Sequence, residues 1–136
     1  SKGEGSGWIV IVGTGVDMAL ISRIERVAAK FPQRFAHRIL HPVELPAWHA
    51  APYSVHFLTK RFAAKEAAAK ALGTAIRDGV SMQDFIVETD SYGKPLLRVE
   101  GRAAEEADTR GISHWHLSIT DEGDTVIAYV IAEGRT

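Results

Sequence analysis

The chain has 136 residues, of which 46% are hydrophobic and 24% charged, and these values predict one globular domain with a core that needs no covalent cross-links. It contains no cysteine, which excludes disulfides, thiolate metal sites and cysteine nucleophiles and is compatible with a cytoplasmic location. The net charge of -1 argues against nucleic-acid binding, and no apolar run approaches the length of a membrane span.

The chain begins with a segment rich in glycine and serine that lacks the apolar stretch of a signal peptide. We interpret residues 1–8 as a flexible leader or expression remnant, and residues 9–134 as the domain. The apolar run at residues 8–12 predicts a buried strand. The motif Gly-Thr-Gly-Val-Asp at residues 13–17 predicts a tight turn that leaves Asp17 at the end of that strand, where, taken alone, it suits the N-cap of the next helix.

A helix is predicted from Ala19 to Lys30. Its apolar face consists of Leu20, Ile24 and Val27. A basic stripe runs beside that face and consists of Arg23, Arg26 and Lys30. Two interpretations stay open for the stripe: an ordinary solvated surface, or a docking strip for an acidic helical partner.

Residues 31–48 predict short helices, because prolines stand near two candidate helix starts. The histidines of this region, His37, His41 and His49, lack the spacing of metal ligands and are interpreted as surface residues. Residues 50–56 are expected to link this region to the next helix.

Residues 61–73 predict a helix, since alanine, lysine, arginine and glutamate favour one and Gly73 suits its C-cap. Helical spacing puts Arg61 beside Lys65, and Glu66 beside Lys70. Taken alone, this pattern fits a core helix with a surface ion pair. The mixture of small and charged residues also fits a helix against which a phosphate ligand packs closely.

The second half of the chain alternates in the manner of strands. Strands are predicted at residues 84–89, 96–99, 115–120 and 125–132, with a hairpin turn at 90–95, a short helix at 101–110 and a turn at 121–124. Helices in the first half and strands in the second predict an α+β fold, a single domain with helices packed on an antiparallel sheet.

Two carboxylates, Asp17 and Glu66, with Lys70 nearby, suit a hard divalent cation that bridges to phosphate oxygens. The expected cation is Mg²⁺, although Mn²⁺ accepts the same oxygen ligands. Spacing alone does not show that the two carboxylates converge.

Taken together, the motifs resemble the holo-acyl-carrier-protein synthases, the small bacterial 4′-phosphopantetheinyl transferases. The resemblance covers residues 9–133 and rests on four pieces in order: residues 13–17 followed by 23–24, then 61–73, then 93–95 and finally 116–120. It implies the 4′-phosphopantetheinyl transferase fold and transfer of 4′-phosphopantetheine from coenzyme A to a serine of apo-acyl carrier protein, which releases adenosine 3′,5′-bisphosphate.

The resemblance also implies roles for individual residues. It makes Asp17 and Glu66 the metal ligands and Lys70 the contact to the reacting phosphate, so that these three are the catalytic residues. The expected coenzyme A contacts are Arg61, Lys65, Gly93, Lys94, Pro95, Ser118 and Thr120. For some of these a simpler interpretation stays open: residues 93–95 suit a turn, and Ser118 and Thr120 suit the solvent face of a strand.

The partners implied by the resemblance are coenzyme A and the carrier protein. Arg23, Arg26 and Lys30 are expected to receive the acidic helix of the carrier protein. Family members form homotrimers with coenzyme A between subunits, so inter-subunit active sites are expected here. Many members have histidine at the position of Asp121, which leaves a contact from Asp121 to coenzyme A in doubt. The alternative function is a non-catalytic module that binds coenzyme A or acyl carrier protein.

Overall fold

The computed structural model describes residues 7–136. In this range the strands are β1 (Ile9–Leu20), β2 (Phe85–Thr89), β3 (Pro95–Val99), β4 (Ile112–Glu122) and β5 (Thr125–Arg135). The helices are α1 (Ile21–Ala28), α2 (Pro32–Ile39), α3 (Leu45–Ala50), α4 (Ser54–Leu72) and α5 (Gly101–Thr109). Short 3₁₀ turns lie at Pro42–Glu44 and Met82–Asp84.

The strands form two antiparallel units. A three-stranded sheet has the order β1-β5-β4, and β2 pairs with β3 as a hairpin. Helix α4 packs on β1 and β5, and its alanines at positions 63, 64, 67, 68 and 69 are fully buried. The predicted α+β fold with helices on an antiparallel sheet is confirmed.

Helix α4 is the predicted alanine-rich helix, extended at its N-terminal end. It ends where expected, because Gly73 adopts the left-handed conformation (φ 94°) that favours glycine at a helix C-cap. The helix begins at Ser54, however, and α3 ends at Ala50. The predicted linker at residues 50–56 is therefore wrong, since only residues 51–53 connect the two helices.

Strand β1 differs most from the sequence prediction. The motif at residues 13–17 forms no turn; the strand runs through it, and Asp17 pairs with Ala128 of β5 in mid-strand. The residue at the N-cap position of α1 is Leu20, so Asp17 is neither at a strand end nor a helix cap. The glycines serve close packing instead, because a Cβ on Gly13 or Gly15 would lie 2.1 Å or 2.0 Å from a carbonyl oxygen of α4.

The longer strand also changes the helix that follows. Because α1 starts at Ile21, its buried residues are Ile21, Ile24 and Ala28. Two members of the predicted apolar face, Leu20 and Val27, are 43% and 55% exposed. The prediction was correct for Ile24 alone.

Trp8 and Thr136 pair with each other at the end of the β1–β5 ladder. The Thr136 amide donates to the Trp8 carbonyl (3.0 Å), and the Trp8 amide donates to Thr136 Oγ1 (3.1 Å). This pairing extends slightly beyond the predicted domain limits of 9 and 134, while residues 1–6 of the predicted leader lie outside the described residues. None of the helices within residues 7–136 has the length and hydropathy needed to cross a membrane.

Candidate active site

The packing of β1 against α4 brings Asp17 and Glu66 to one place. Gly13, Gly15 and Asp17 alternate on the face of β1 that meets α4, and the missing Cβ atoms let the helix approach the strand closely. Ala67, whose carbonyl lies against Gly15, directly follows Glu66. The two carboxylates, from distant parts of the sequence, therefore meet beside a close strand–helix contact.

The two carboxylates influence each other. Burial raises the pKa of Glu66, the negative charge of Asp17 raises it further, and Lys70 acts in the opposite direction. In the protein without a bound cation, the charged form of Glu66 is thus disfavoured. A positive ligand between the carboxylates would relieve that cost.

Lys70 lies beside Asp17. Its ammonium donates to the Val16 carbonyl (2.9 Å) and to Asp17 Oδ1 (3.1 Å). About half of the Lys70 side chain remains exposed (51%), whereas Asp17 is 17% exposed. Lys70 is therefore held next to a carboxylate and still accessible to an anionic ligand.

Asp17 and Glu66 open into a cavity of about 490 Å³, which we call the carboxylate pocket. Its other walls are largely apolar and come from β1, α1, α2 and α4, including Met18, Val27, Phe35 and Phe62. Arg23 of the basic stripe also lines it. The pocket thus joins two acidic groups, an apolar wall and one cation of α1.

A second cavity, of about 440 Å³, lies along the N-terminal half of α4, and we call it the Arg61 cleft. Its walls include four of the predicted coenzyme A contacts: Arg61, Gly93, Pro95 and Thr120. They come from α4, the β2–β3 hairpin and β4. Lys60, Phe57 and Asp121 complete much of the remaining wall.

The family of this chain follows from its similarity to known proteins. The chain matches the 4′-phosphopantetheinyl transferase superfamily over residues 13–130. It belongs to that superfamily.

Similar proteins share a specific enzyme class. A holo-[acyl-carrier-protein] synthase of Photobacterium profundum is 50% identical over 92% of this chain and 99% of its own. The crystal structure of the Neisseria meningitidis synthase matches with a TM-score of 0.84 and 46% identity, covering 90% of this chain and 98% of that one. The Helicobacter pylori synthase in complex with coenzyme A matches at 28% identity with a TM-score of 0.75, covering 88% and 98% of the two chains. The family and enzyme class expected from the sequence are confirmed.

One expected ligand contact of this phosphopantetheinyl transferase is corrected by the structure. Lys65 is fully buried, and its ammonium donates to Glu44 Oε1 (2.6 Å) and to the Ile39 carbonyl (2.9 Å). It points into the protein because α2 and the turn at residues 42–44 cover this part of α4 and supply both of its acceptors. Lys65 is therefore removed from the coenzyme A contacts.

Other expected contacts lie apart from the Arg61 cleft. The walls formed by residues 7–136 do not include Lys94 or Ser118. Lys94 is exposed on the β2–β3 turn. Ser118 and Thr120 are exposed on the side of β4 opposite the buried Leu117, and of these two Thr120 alone reaches the cleft.

Sequence reasoning missed two residues of the transferase, Glu44 and Lys60. Lys60 Nζ lies 3.1 Å from Asp121 Oδ2 within the Arg61 cleft. Its position directly before Arg61, a predicted coenzyme A contact, could have indicated it from the sequence. Glu44 is 2% exposed and contacts both Arg61 and Lys65, and the sequence signal for it was weaker: a glutamate two residues after a proline indicates only the first turn of a helix.

The basic stripe of the transferase is accessible. Arg23 and Arg26 are exposed on α1, and Lys30 is exposed in the bend that follows it. The described residues contain no cluster of three or more histidine, aspartate or glutamate side chains arranged to hold a metal. The pair Asp17 and Glu66 nevertheless fits a cation that takes one or two protein carboxylates, since their mutual repulsion favours a positive ligand.

Proposed function

We propose that this protein transfers 4′-phosphopantetheine from coenzyme A to a serine hydroxyl of apo-acyl carrier protein, with Mg²⁺ or Mn²⁺ held by Asp17 and Glu66. The products are holo-acyl carrier protein and adenosine 3′,5′-bisphosphate. The observation that carries the proposal is the shared carboxylate pocket, where Asp17 and Glu66 meet within reach of Lys70 and Arg23. The synthases to which the chain is similar support the reaction.

The reaction exchanges one P–O bond for another. The serine oxygen bonds to the phosphorus that carries pantetheine, and the bond from that phosphorus to the bridging oxygen of the diphosphate breaks. A divalent cation at Asp17 and Glu66 supplies charge neutralisation for the diphosphate and its leaving group. Lys70, whose ammonium lies beside Asp17, would donate hydrogen bonds to the transferring phosphoryl oxygens.

The serine proton needs an acceptor, and we assign it to Glu66 or to a water molecule beside it. Burial and Asp17 raise the pKa of Glu66, which makes its carboxylate a stronger base than an exposed glutamate. The assignment has a direct test. A Glu66→Gln protein that binds the cation and keeps the full rate would rule out Glu66 as the base.

The nucleotide part of coenzyme A belongs in the Arg61 cleft. Arg61 is the main cation for its phosphates, and Gly93, Pro95 and Thr120 form the wall around it. Lys94 is next to Gly93 and reaches the same ligand from the turn. Support comes from the similar H. pylori synthase, which was solved in complex with coenzyme A.

The carrier protein docks on α1 in this proposal. Arg23, Arg26 and Lys30 provide positive charge beside the carboxylate pocket, which an acidic helix would recognise. An acidic carrier protein of fatty acid synthesis or of polyketide synthesis would use the same surface. The cytoplasm is the proposed location, with which the lack of cysteine is compatible.

The proposed assembly is a homotrimer with active sites between subunits. Support comes from the outward face of the three-stranded sheet, where Val16 and Met18 of β1 and Ile127 and Tyr129 of β5 are 38–66% exposed. A contiguous apolar face of this kind favours burial against another protein surface. Ser118 lies on the same face and would meet a ligand held by a neighbouring subunit.

The deciding experiment is the intact mass of apo-acyl carrier protein after incubation with this protein, coenzyme A and Mg²⁺, with and without EDTA. We expect a gain of one phosphopantetheine group that EDTA abolishes. Asp17→Asn, Glu66→Gln and Lys70→Met should each lower the rate by about 10²-fold or more. Glu25→Gln, an exposed carboxylate on α1, is the matched control.

Two other results of this experiment would contradict parts of the proposal. Coenzyme A binding without any mass gain on several carrier proteins would contradict the proposed reaction and favour the non-catalytic binding module. A mass gain that persists in EDTA would contradict the requirement for a divalent cation, but it would still support the transfer reaction.

A further inference from the structure

A buried charge cluster lies beneath the Arg61 cleft and is centred on Glu44. Its carboxylate is completely shielded from solvent. Oε1 accepts from Lys65 Nζ (2.6 Å) and from the His41 amide (2.8 Å), and Oε2 accepts from the Val87 amide (3.1 Å). Glu44 therefore fixes the turn before α3 to both α4 and β2.

Arg61 is the fourth neighbour of this carboxylate. Its Nε lies 3.3 Å from Glu44 Oε2, and its guanidinium carbon lies 4.3 Å from the centre of the Phe57 ring. The guanidinium is thus held by a carboxylate and an aromatic ring, and Arg61 as a residue is 8% exposed. These contacts restrict a side chain that is otherwise among the most flexible.

The charge of the cluster is unbalanced. One carboxylate faces two cations, and Lys65, with no exposed surface, already neutralises it. The second cation, Arg61, therefore has no buried counter-charge of its own at the wall of the cleft, although the charge of the exposed Glu88 also acts on it. Its buried Nε, moreover, makes no hydrogen bond among residues 7–136, because the 3.3 Å contact with Glu44 is an ion pair without hydrogen-bond geometry.

Stability alone explains this arrangement poorly. A buried ion pair costs desolvation free energy, and replacing it by neutral groups of similar shape is often neutral or stabilising. A third charged group adds a further cost, and burial indeed lowers the pKa of Arg61, against the opposing effect of Glu44. Such a cost is typical of a group held ready for a ligand.

We propose that Glu44, supported by Lys65, is a positioning residue that fixes the Arg61 guanidinium in the cleft for a nucleotide phosphate. The inference deepens the proposed function and rests on it for the identity of the nucleotide. Arg61 touches the ligand, and Glu44 acts only through Arg61. Because the guanidinium is already ordered, binding loses little side-chain entropy.

The test needs a variant that removes positioning without changing charge. Glu44→Gln alone would leave Lys65 buried without its anion and add one positive charge near the ligand. The double variant Glu44→Gln/Lys65→Met removes one negative and one positive charge, so the cluster keeps its net charge and its volume. Circular dichroism and a thermal melt establish that it is folded.

Binding of adenosine 3′,5′-bisphosphate by isothermal titration calorimetry provides the readout, independently of turnover. We expect the double variant to bind about 10-fold more weakly, which corresponds to about 1.4 kcal/mol. Arg61→Ala should weaken binding at least as much. A triple variant that combines Glu44→Gln, Lys65→Met and Arg61→Ala should bind no more weakly than Arg61→Ala alone, because Glu44 acts on the ligand through Arg61.

A purely structural role gives a different result. It would weaken binding equally with and without Arg61, and that additivity would overturn the proposal, as would a folded double variant with unchanged affinity. Glu25→Gln, an exposed carboxylate on α1 outside the Arg61 cleft, is the matched control and should bind as the wild type does.

The assay also separates this inference from the proposed function. If the wild-type protein binds the bisphosphate but modifies no carrier protein, the proposed reaction is contradicted. The affinities of the wild type and the double variant for the bisphosphate would still test the positioning role of Glu44. In an active enzyme, the double variant should raise KM for coenzyme A and leave kcat nearly unchanged. A fall in kcat at unchanged KM would contradict the proposal.

Discussion

Glu66 carries an electrostatic cost in the protein without a bound cation, because burial and Asp17 both disfavour its charge. In the unfolded chain its carboxyl ionises near the ordinary value of 4.5, whereas the folded protein holds the proton to higher pH. A folded pKa above the unfolded one means that this group stabilises the fold at low pH. That contribution is lost as the pH rises through the folded pKa.

Glu66→Gln should therefore raise the melting temperature at pH 7.5 in the absence of divalent cations. The gain should shrink as the pH falls and vanish below about pH 4.5, where the wild-type carboxyl is protonated in both states. Thermal melts in EDTA at several pH values measure it, with Glu25→Gln as the exposed control. A variant less stable than wild type at pH 7.5 would contradict the electrostatic interpretation of this site.

Asp121 introduces a negative charge into a cleft that we assign to an anionic ligand. Its carboxylate pairs with Lys60 at 3.1 Å, and both side chains are about 40% exposed, which limits the strength of the pair. Asp121→Asn should remove repulsion and free Lys60, so adenosine 3′,5′-bisphosphate should bind about 5-fold more tightly, or about 1 kcal/mol.

Calorimetry at low and high salt checks this expectation, because the gain should fall as salt screens exposed charges. Asp90→Asn would disturb the hairpin turn, so the exposed Asp108 of α5 provides the better control as Asp108→Asn. Weaker binding by Asp121→Asn would instead mean that Asp121 holds Lys60 in place for the ligand.

At the scale of elements, α4 and β1 show what could be predicted and what could not. Helix α4 was predicted because propensity is local: alanine, lysine and glutamate favour a helix wherever they stand, and Gly73 ends it. The glycines of β1 were misinterpreted because a glycine that permits a turn and a glycine that permits close packing look alike in a sequence. The difference depends on α4, which lies far along the chain.

Gly15→Ala should test that close packing. Its Cβ would lie 2.0 Å from the Ala67 carbonyl oxygen and 2.7 Å from the Ala71 nitrogen, both backbone atoms that cannot move aside cheaply. We expect a loss of about 3 kcal/mol or more in the free energy of unfolding, at the upper end of overpacking effects. The same shift would separate Asp17 from Glu66, so activity should fall as well.

Urea denaturation measures the loss, and Thr14→Ala is the control. Thr14 stands between the two glycines, but its side chain is exposed on the opposite face of β1. Its replacement should change the free energy of unfolding by less than about 1 kcal/mol. Equal effects of the two substitutions would mean that strand propensity, and not contact with α4, requires glycine at position 15.

At the scale of the whole molecule, the candidate site was predicted only in part. Motif resemblance predicted roles for Asp17, Glu66, Lys70 and Arg61, and the fold brings the first two into one pocket. Lys65 was misassigned because helical spacing does not say which face of α4 is covered by α2 and the turn at residues 42–44. Glu44 pairs with Lys65 and accepts from the Val87 amide, and both contacts join residues that are far apart in the sequence.

The outward face of the sheet leads to the last prediction. Tyr129 lies on the central strand β5, 43% exposed and paired with Val16 of β1 and Ser118 of β4. If this face joins subunits, a lysine here would bury an unpaired charge in each interface, at a cost of several kcal/mol. Tyr129→Lys should then dissociate the proposed trimer to single chains of 14.8 kDa, as measured by sedimentation velocity.

Tyr92→Lys separates loss of the interface from loss of a tyrosine. Tyr92 is 94% exposed on the β2–β3 turn, away from the sheet face, and its replacement should leave the assembly unchanged. Because the proposed active sites lie between subunits, Tyr129→Lys should also lose transferase activity while keeping its circular dichroism spectrum. A folded, fully active single-chain variant would show that one subunit suffices, and would overturn the inter-subunit site while leaving the carboxylate pocket in place.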